Sequence, residues 1–543
     1  MLATLAAYWP AYSAGFIWDD DAYVTENPLL GAPDGLWRIW FTAHSQSQYF
    51  PLAFTTLRME YALWGLNPAG YHIVNVCFHI GNALLVWALL RRLALPGAWL
   101  AAAIFALHPV QVETVAWVTE LKNTESTLFY LLALFAWLNF CADRGRWFYA
   151  LALALQALAL FAKTTACTLP AVLLLLLWLK GEPVDRRRLF QTLPFVLLGV
   201  GLGLLSVWWE KHLGNYEPQF HLLGGPLDRL LIAAHALWFY GGKIFWPADL
   251  TFSYPRWEIN ASDWRQYVWL AGGLAVAAAL WFRRRKLGRG PAAAVIFFAA
   301  VLSPMLGFIP LYTFYFSYVA DHYQYFAALG LMALAAGGAA HFFENWQVDR
   351  RLRGFLGALL LLTFGFLTFQ QCRIYQDPEA LWTDTLKKNP RCWMAHTNLG
   401  RLLVQRGEFN EAEAHYQAAL AINSGEATIY YNYGNLLART GRMDEAVARY
   451  HLALQIAPEK PEVYNNLGFA LKQEHRTDEA IAEYERAIFY KPDYADAYFN
   501  LGNALSSEHK MDAAILAYRE AARLNPGSEL FQKRLQALGV PAN

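Results

Sequence analysis

Residues 15–28 read GFIWDDDAYVTENP: three consecutive carboxylates, Asp19, Asp20 and Asp21, directly after an apolar run and flanked by Trp18 and Tyr23. A carboxylate at the mouth of an apolar groove loses solvation, and desolvation raises its pKa towards values at which it can take a proton from a substrate. Neighbouring carboxylates raise one another further, which favours one of the three as proton acceptor. The trio is also a hard oxygen set able to hold a divalent cation. The alternative without chemistry is an acidic turn that faces water. Further along, His108, Glu113, Lys122, Lys163 and His322 lie in or beside apolar runs, where an ionisable group needs partners. Either they line a polar cavity or they reach for lipid headgroups.

The elements that must position these groups are helices in a membrane. The chain has 543 residues, 56% hydrophobic and 16% charged, against roughly 25% charged in an average soluble protein. Runs such as LALALQALALFA, LPAVLLLLLWL, LPFVLLGVGLGLLSVWW and LLLLTFGFLTF fill the first two thirds. Each approaches the ~20 residues that span a hydrocarbon core. Arginine clusters at 91–92, 144–146, 186–188, 283–286 and 350–353 mark cytoplasmic loops. Segment 227–246 carries Asp228, Arg229, His235 and Lys243 and reads as interfacial or re-entrant. The remaining runs then pair into eleven spans, with the N-terminus inside, residues 17–70 as the first long outer loop and the C-terminal part outside. The first run contains Pro10 and is short for a span, as if a few residues preceded it. Five scattered Cys form neither a zinc spacing nor a disulfide framework. A net charge of +1 gives no support to a nucleic-acid partner.

After Tyr375 the text repeats. HTNLG, YYNYG, YNNLG and YFNLG set Gly400, Gly434, Gly468 and Gly502 at intervals of 34 residues, and Ala412, Ala446, Ala480 and Ala514 follow in phase. Tyr416, Tyr450, Tyr484 and Tyr518 share that phase, and Pro390, Pro458, Pro492 and Pro526 close units, with Ser424 in place of one proline. This is the tetratricopeptide pattern, in which small residues let two helices touch, aromatics fill the gap and proline stops the second helix. The chain therefore reads as all-α: a polytopic transmembrane part over 1–374 and an α-solenoid over 375–543. The solenoid comprises a partial unit at 378–390, full repeats over about 393–526 and a capping helix at 529–538. Asn398, Asn432, Asn466 and Asn500 recur once per repeat. As a line of amides along the groove they suit the backbone of an extended peptide. As consensus residues they serve helix packing instead.

FIWDDDAYVTENP, LWGLNPAGYHIVNVCFHIGNALL, FALHPVQVETVAWVTELKN, FAKTTACTLP, GKIFWPADLTFSYPRW and ADHYQYFAALGL, in this order and followed by the repeats, resemble the transmembrane and tetratricopeptide repeat-containing protein O-mannosyltransferase family and its bacterial relatives. The resemblance covers essentially the whole chain. It implies a GT-C glycosyltransferase fold and a first extracytoplasmic loop bearing the acidic motif. It also implies a polyprenyl- or dolichyl-phosphate sugar donor and inverting transfer of mannose or a similar hexose to Ser/Thr hydroxyls of a protein acceptor held by the repeats. On that reading Asp19 or Asp20 is the base, because they align with the family's acidic pair, and Asp21, Glu26 and Glu113 are secondary acidic residues. Lys122, then Lys163, His108, Arg58 and His322, would offset charge on the departing lipid phosphate. No cofactor is obligatory, since transfer from a lipid monophosphate has little need of the divalent cation the aspartates could hold. The place would be the inner membrane, with the repeats outside the cytoplasm. There are departures: ELKN replaces Glu-Arg-Lys-Asp, and Asp321-His322-Tyr323 replaces Asp-Arg-Tyr. Two other roles fit the same text, a non-catalytic membrane scaffold for envelope assembly and a transferase acting on a lipid-linked glycan.

Overall fold

A computed structural model of the chain describes residues 1–42, 46, 48–212, 223–309 and 312–540. The rest of the expected outer loop, residues 43–45 and 47, lies outside the described residues. The described elements are helices, with no strand among them, and they fall into two units, Met1–Asn389 and Pro390–Asn543.

In the first unit, α1 (Pro68–Arg92) starts where Asn67 accepts a hydrogen bond from the Ala69 N–H and Pro68 presets the first turn. It ends on Arg91 and Arg92, cations at the negative end of the helix dipole. α2 (Ala98–Leu107) stops at His108, whose backbone is extended because the residue before a proline avoids the α region. The chain bends there by 54° into the short helix that follows. α3 (Leu121–Cys141) carries the site on its first turns and packs most extensively on the helix Trp147–Ala162. α4 (Pro226–Phe245) is continuous but holds Asp228, Arg229 and Lys243. α5 (Arg350–Ile374) buries only Thr368 and Cys372, as expected of a lipid-facing helix. Four helices among the described residues are long and apolar enough to cross a bilayer, or five if the pair bent at His108 is one span. That is fewer than the eleven expected. The helices at Trp147–Ala162, Thr164–Lys180 and Gly290–Met305 are apolar but shorter, and α4, expected not to cross, is not among the candidates.

The first unit runs on past the expected boundary at 374. α6 (Pro378–Lys388), expected as a partial repeat, buries Leu381 and Trp382. Lys388 donates to the Leu250 carbonyl at 2.7 Å and Asn389 to that of Ser253 at 3.0 Å. The boundary therefore falls between Asn389 and Pro390.

In the second unit the helix pairs begin at Trp393 and end at Leu524, and a last helix, Glu529–Ala537, buries Phe531 and Leu535 against them. The phased alanines and tyrosines are buried throughout. A Cβ placed on Gly434 would lie 2.6 Å from Tyr450 Cε1, and the other three repeat glycines meet their tyrosines at 2.7–2.9 Å. Glycine is thus required by the ring opposite and not by a turn. Gly434→Ala should cost about 1–3 kcal/mol through overpacking, read as a lower thermal midpoint. An unchanged midpoint would mean the tyrosine can swing aside.

Candidate active site

The acidic segment turns at Trp18, whose backbone sits at φ +47°, a strained conformation for a bulky residue. An aromatic cage holds it there: the indole is edge-on to Trp382 at 5.2 Å, Phe316 at 6.1 Å and Phe252 at 6.4 Å. Below the turn, Tyr23, Val24 and Leu29 pack on Phe54 and Leu57 and on Val118 and Leu121 ahead of and within α3.

Asp19 and Asp20 have different surroundings. Asp20 is fully buried. Its Oδ2 accepts from the Ile17 N–H and its Oδ1 from the Thr119 N–H, each at 2.9 Å. Burial pushes this carboxyl up to about 8 while those two donors pull it down. Both oxygens are committed, so Asp20 ties the acidic loop to the turn ahead of α3. Asp20→Asn sets an amide NH2 against one of the two N–H donors. We expect a loss of about 1–3 kcal/mol, seen as a lower unfolding midpoint, and no change would contradict the tie. Asp21 turns back on its own segment and accepts from Thr25 Oγ1 at 3.0 Å.

Asp19, partly exposed, has a carboxylate that no hydrogen bond or ion pair engages among the described residues. Burial pushes it up, Lys122 holds it down, Glu120 raises it, His322 lowers it, and it settles at about 6. The three aspartates thus do not converge. Among the described residues no group of three or more His, Cys, Asp or Glu side chains is placed to hold a metal ion, there or elsewhere.

The network facing Asp19 centres on Glu120. Its Oε1 pairs with Lys122 Nζ at 3.0 Å and its Oε2 with Lys163 Nζ at 3.3 Å, and Asn123 Nδ2 donates to Oε2 as well. Asn123 also donates to the His322 carbonyl at 3.2 Å. The His322 N–H donates to Glu113 Oε2 at 3.0 Å, and its ring Nδ1 lies 3.0 Å from Glu113 Oε1, off the line of a hydrogen bond. His322 Nε2 is 3.9 Å from Glu120 Oε1. Lys122 also lies over the rings of Tyr23 at 5.2 Å and Trp117 at 6.0 Å. Beside this network is a hollow of about 420 Å³, counting space open to solvent, lined among others by Asn123, Ser126, Thr127, Tyr130, Thr168 and His322. The spacing 123, 126, 127, 130 puts its hydroxyl wall on one face of α3. Two lysines and a histidine beside an uncommitted carboxylate can offset an anion while a proton is taken from a neighbouring hydroxyl.

Of the residues singled out in the sequence, the structure brings Glu113, Lys122, Lys163 and His322 together with Glu120, and sets Asp19 within the electrostatic reach of Lys122, Glu120 and His322, but it does not bring in Arg58 or His108. The Arg58 guanidinium is spent on backbone, donating to Leu30 O at 2.9 Å and Ala32 O at 2.7 Å and also to Leu29 O. It holds the acidic loop's far end and is no phosphate binder. His108 caps the bend after α2: its Nδ1 accepts from the Val110 N–H at 3.3 Å and its Nε2 faces Ile244 O at 2.9 Å. Glu120, the hub, was missed although ELKN names it. The available signal was that Lys122 and Lys163, both in apolar context, require an anion. The pairing of Tyr254 with Asp321, 3.0 Å to each carboxylate oxygen, left no trace in spacing.

In the repeats, Asn398 donates to its own helix at Met394 O (2.8 Å). Asn466 donates to Asn435 Oδ1 at 2.8 Å and Tyr431 Oη at 3.2 Å, and accepts from Asn465. Asn500 donates to Asn465 Oδ1 at 2.9 Å. Two of these amides thus link neighbouring repeats, the packing role. Asn432 is partly exposed and makes no such bond among the described residues.

Comparison with known proteins matches the repeats and, at lower identity, most of the chain. Tetratricopeptide repeat models match residues 425–488 and 495–528, and a TPR repeat model matches 400–441 and 471–508. Human protein O-mannosyl-transferase TMTC2 is 24% identical over 533 residues, covering 79% of this chain and 62% of that one. Human protein O-mannosyl-transferase TMTC4 is 26% identical over 495 residues, covering 75% and 63%. The chain is similar to these transferases over most of its own length. It spans about 62% of the length of TMTC2. Among solved structures, a crystal structure of MamA is 22% identical with a TM-score of 0.26, over 27% of this chain and 86% of that one. YrrB, a TPR protein with an unusual peptide-binding site, is 19% identical with a TM-score of 0.27, over 36% and 97%.

Proposed function

We propose that this protein is an inverting membrane glycosyltransferase that moves a hexose, of the mannose kind, from a polyprenyl-phosphate carrier to Ser/Thr hydroxyls of a polypeptide bound by the repeats. The observation that carries the reading is one uncommitted carboxylate, Asp19, within the electrostatic reach of Lys122 and His322, with Lys163 held on the same Glu120. Asp19 takes the proton of the acceptor hydroxyl as its oxygen bonds to the anomeric carbon. The bond from that carbon to the carrier's phosphate oxygen breaks with its electron pair, and the departing lipid phosphate is met by Lys122, Lys163 and His322. A single displacement of this kind inverts the anomeric centre. The names of the transferases in the comparison support a protein acceptor.

The test is transfer itself. Radiolabelled sugar on a polyprenyl-phosphate carrier is incubated with the full chain in detergent and a Ser/Thr-containing peptide, and product forms only with the intact cluster. The reading also puts the repeats outside the cytoplasm. Glu508→Cys, at an exposed repeat position, should react with an impermeant maleimide on intact cells above the background of the native cysteines. Labelling only after lysis would defeat acceptor capture at the outer face.

A further inference from the structure

A second set of buried carboxylates lies away from the Glu120 network. The helix Pro51–Trp64 meets α3 through Thr56 and Glu60 on one side and Glu125 on the other. Thr56 Oγ1 donates to Glu125 Oε1 at 2.7 Å. Glu60 and Glu125 are each 3% exposed. Both Glu60 oxygens and Glu125 Oε2 are buried without a hydrogen-bond partner. The charged group that acts on Glu60 is Glu125, and no cationic side chain acts on either among the described residues. Arg58, on the same helix, is spent on the loop carbonyls, and Lys122 pairs with Glu120.

Buried polar groups are almost always satisfied, and orphaned ones point to an ion or water. Two buried carboxylates with no counter-charge from the protein either hold protons or take a cation from outside, and as anions they need the cation. The donor set is oxygen only, two carboxylates and one hydroxyl, with no imidazole or thiolate. It therefore suits a hard divalent cation such as Mg2+ or Mn2+, which binds through one or two carboxylates and fills its shell with water. We propose that Glu60 and Glu125, with the Thr56 hydroxyl, hold a divalent metal ion between the helix Pro51–Trp64 and α3. The ion clamps that helix to α3, and through Arg58 the same helix steadies the loop that carries Asp19. The site stands whether or not the chain transfers a sugar.

The experiment uses the full chain purified in detergent, stripped with EDTA and dialysed against Mn2+, with bound metal read by electron paramagnetic resonance. The wild type should keep a single tightly bound Mn2+. Glu60→Gln and Glu125→Gln should each lose it, while Asp19→Asn keeps it, all on protein that elutes as one monodisperse species. A wild type that retains no Mn2+ overturns the proposal and leaves the pair to protons. Loss in Asp19→Asn with retention in the glutamine variants overturns it too, by moving the ion to the acidic loop. Should both glutamine variants fail to fold, Thr56→Val decides: about tenfold weaker Mn2+ binding supports the clamp, and unchanged affinity sinks it.

Discussion

Asp19→Asn should lower glycosyl transfer by roughly 10²–10⁴-fold, the range of a lost general base, and leave the fold intact. The second half of that expectation follows from geometry. Asp19 engages no hydrogen bond or ion pair among the described residues, whereas Asp20 holds two backbone N–H groups. The adjacent aspartates should therefore separate cleanly in experiment, Asp19→Asn losing rate at an unchanged unfolding midpoint and Asp20→Asn losing stability. The wild-type pH profile supplies a check that no folding defect can mimic. The base works only when ionised, and burial holds the Asp19 carboxyl at about 6. Transfer should be near its plateau at neutral pH and fall as the pH drops through that value, approaching tenfold per unit below it. The residual activity of Asp19→Asn should lack this inflection. A variant that transfers as well as its parent, or keeps the inflection, would remove Asp19 as base and leave the scaffold reading in its place.

Legibility in the sequence followed the range of the physics. The repeats could be read almost residue by residue because each contact that fixes them is local and recurs. Gly434 faces Tyr450, and the same pair returns every 34 residues. The ion cluster was legible in kind, since charged residues inside apolar runs must find partners, but its wiring was not. Glu120 joins Lys122, two residues on, to a lysine and a histidine brought from two other segments, the last some two hundred positions along the chain. Arg58 misled for a related reason. A cation near an acidic loop looks like an anion binder, but in the fold its donors are already turned to the carbonyls of Leu29, Leu30 and Ala32. Asp19 and Asp20 are indistinguishable as letters. What separates them is one backbone turn at Trp18, held by aromatic rings from distant segments. The span count suffered from reading composition without breaks, as at His108, where one apolar run becomes two helices bent by 54°.

Removing the hub is the other large effect to expect. Glu120→Ala should cost about 3–5 kcal/mol, the usual result of breaking a buried ion pair from one side. The carboxylate lost is 1% exposed, and the lysine side chains it leaves behind are 9% and 10% exposed. Like charges then face each other in a poorly solvated space, with Glu113 engaged by His322. The loss belongs to the membrane unit, so the repeats, with their own buried tyrosines and alanines, should keep their unfolding transition while the other shifts down. Adding Lys163→Met to Glu120→Ala should recover part of the loss, because one of the two stranded cations is gone. The two changes together should therefore cost less than the sum of each alone. Strict additivity would show that Lys163 finds another partner and that Glu120 does not bind the two lysines into one unit. That outcome would also take away the paired cations on which the lipid phosphate is expected to land.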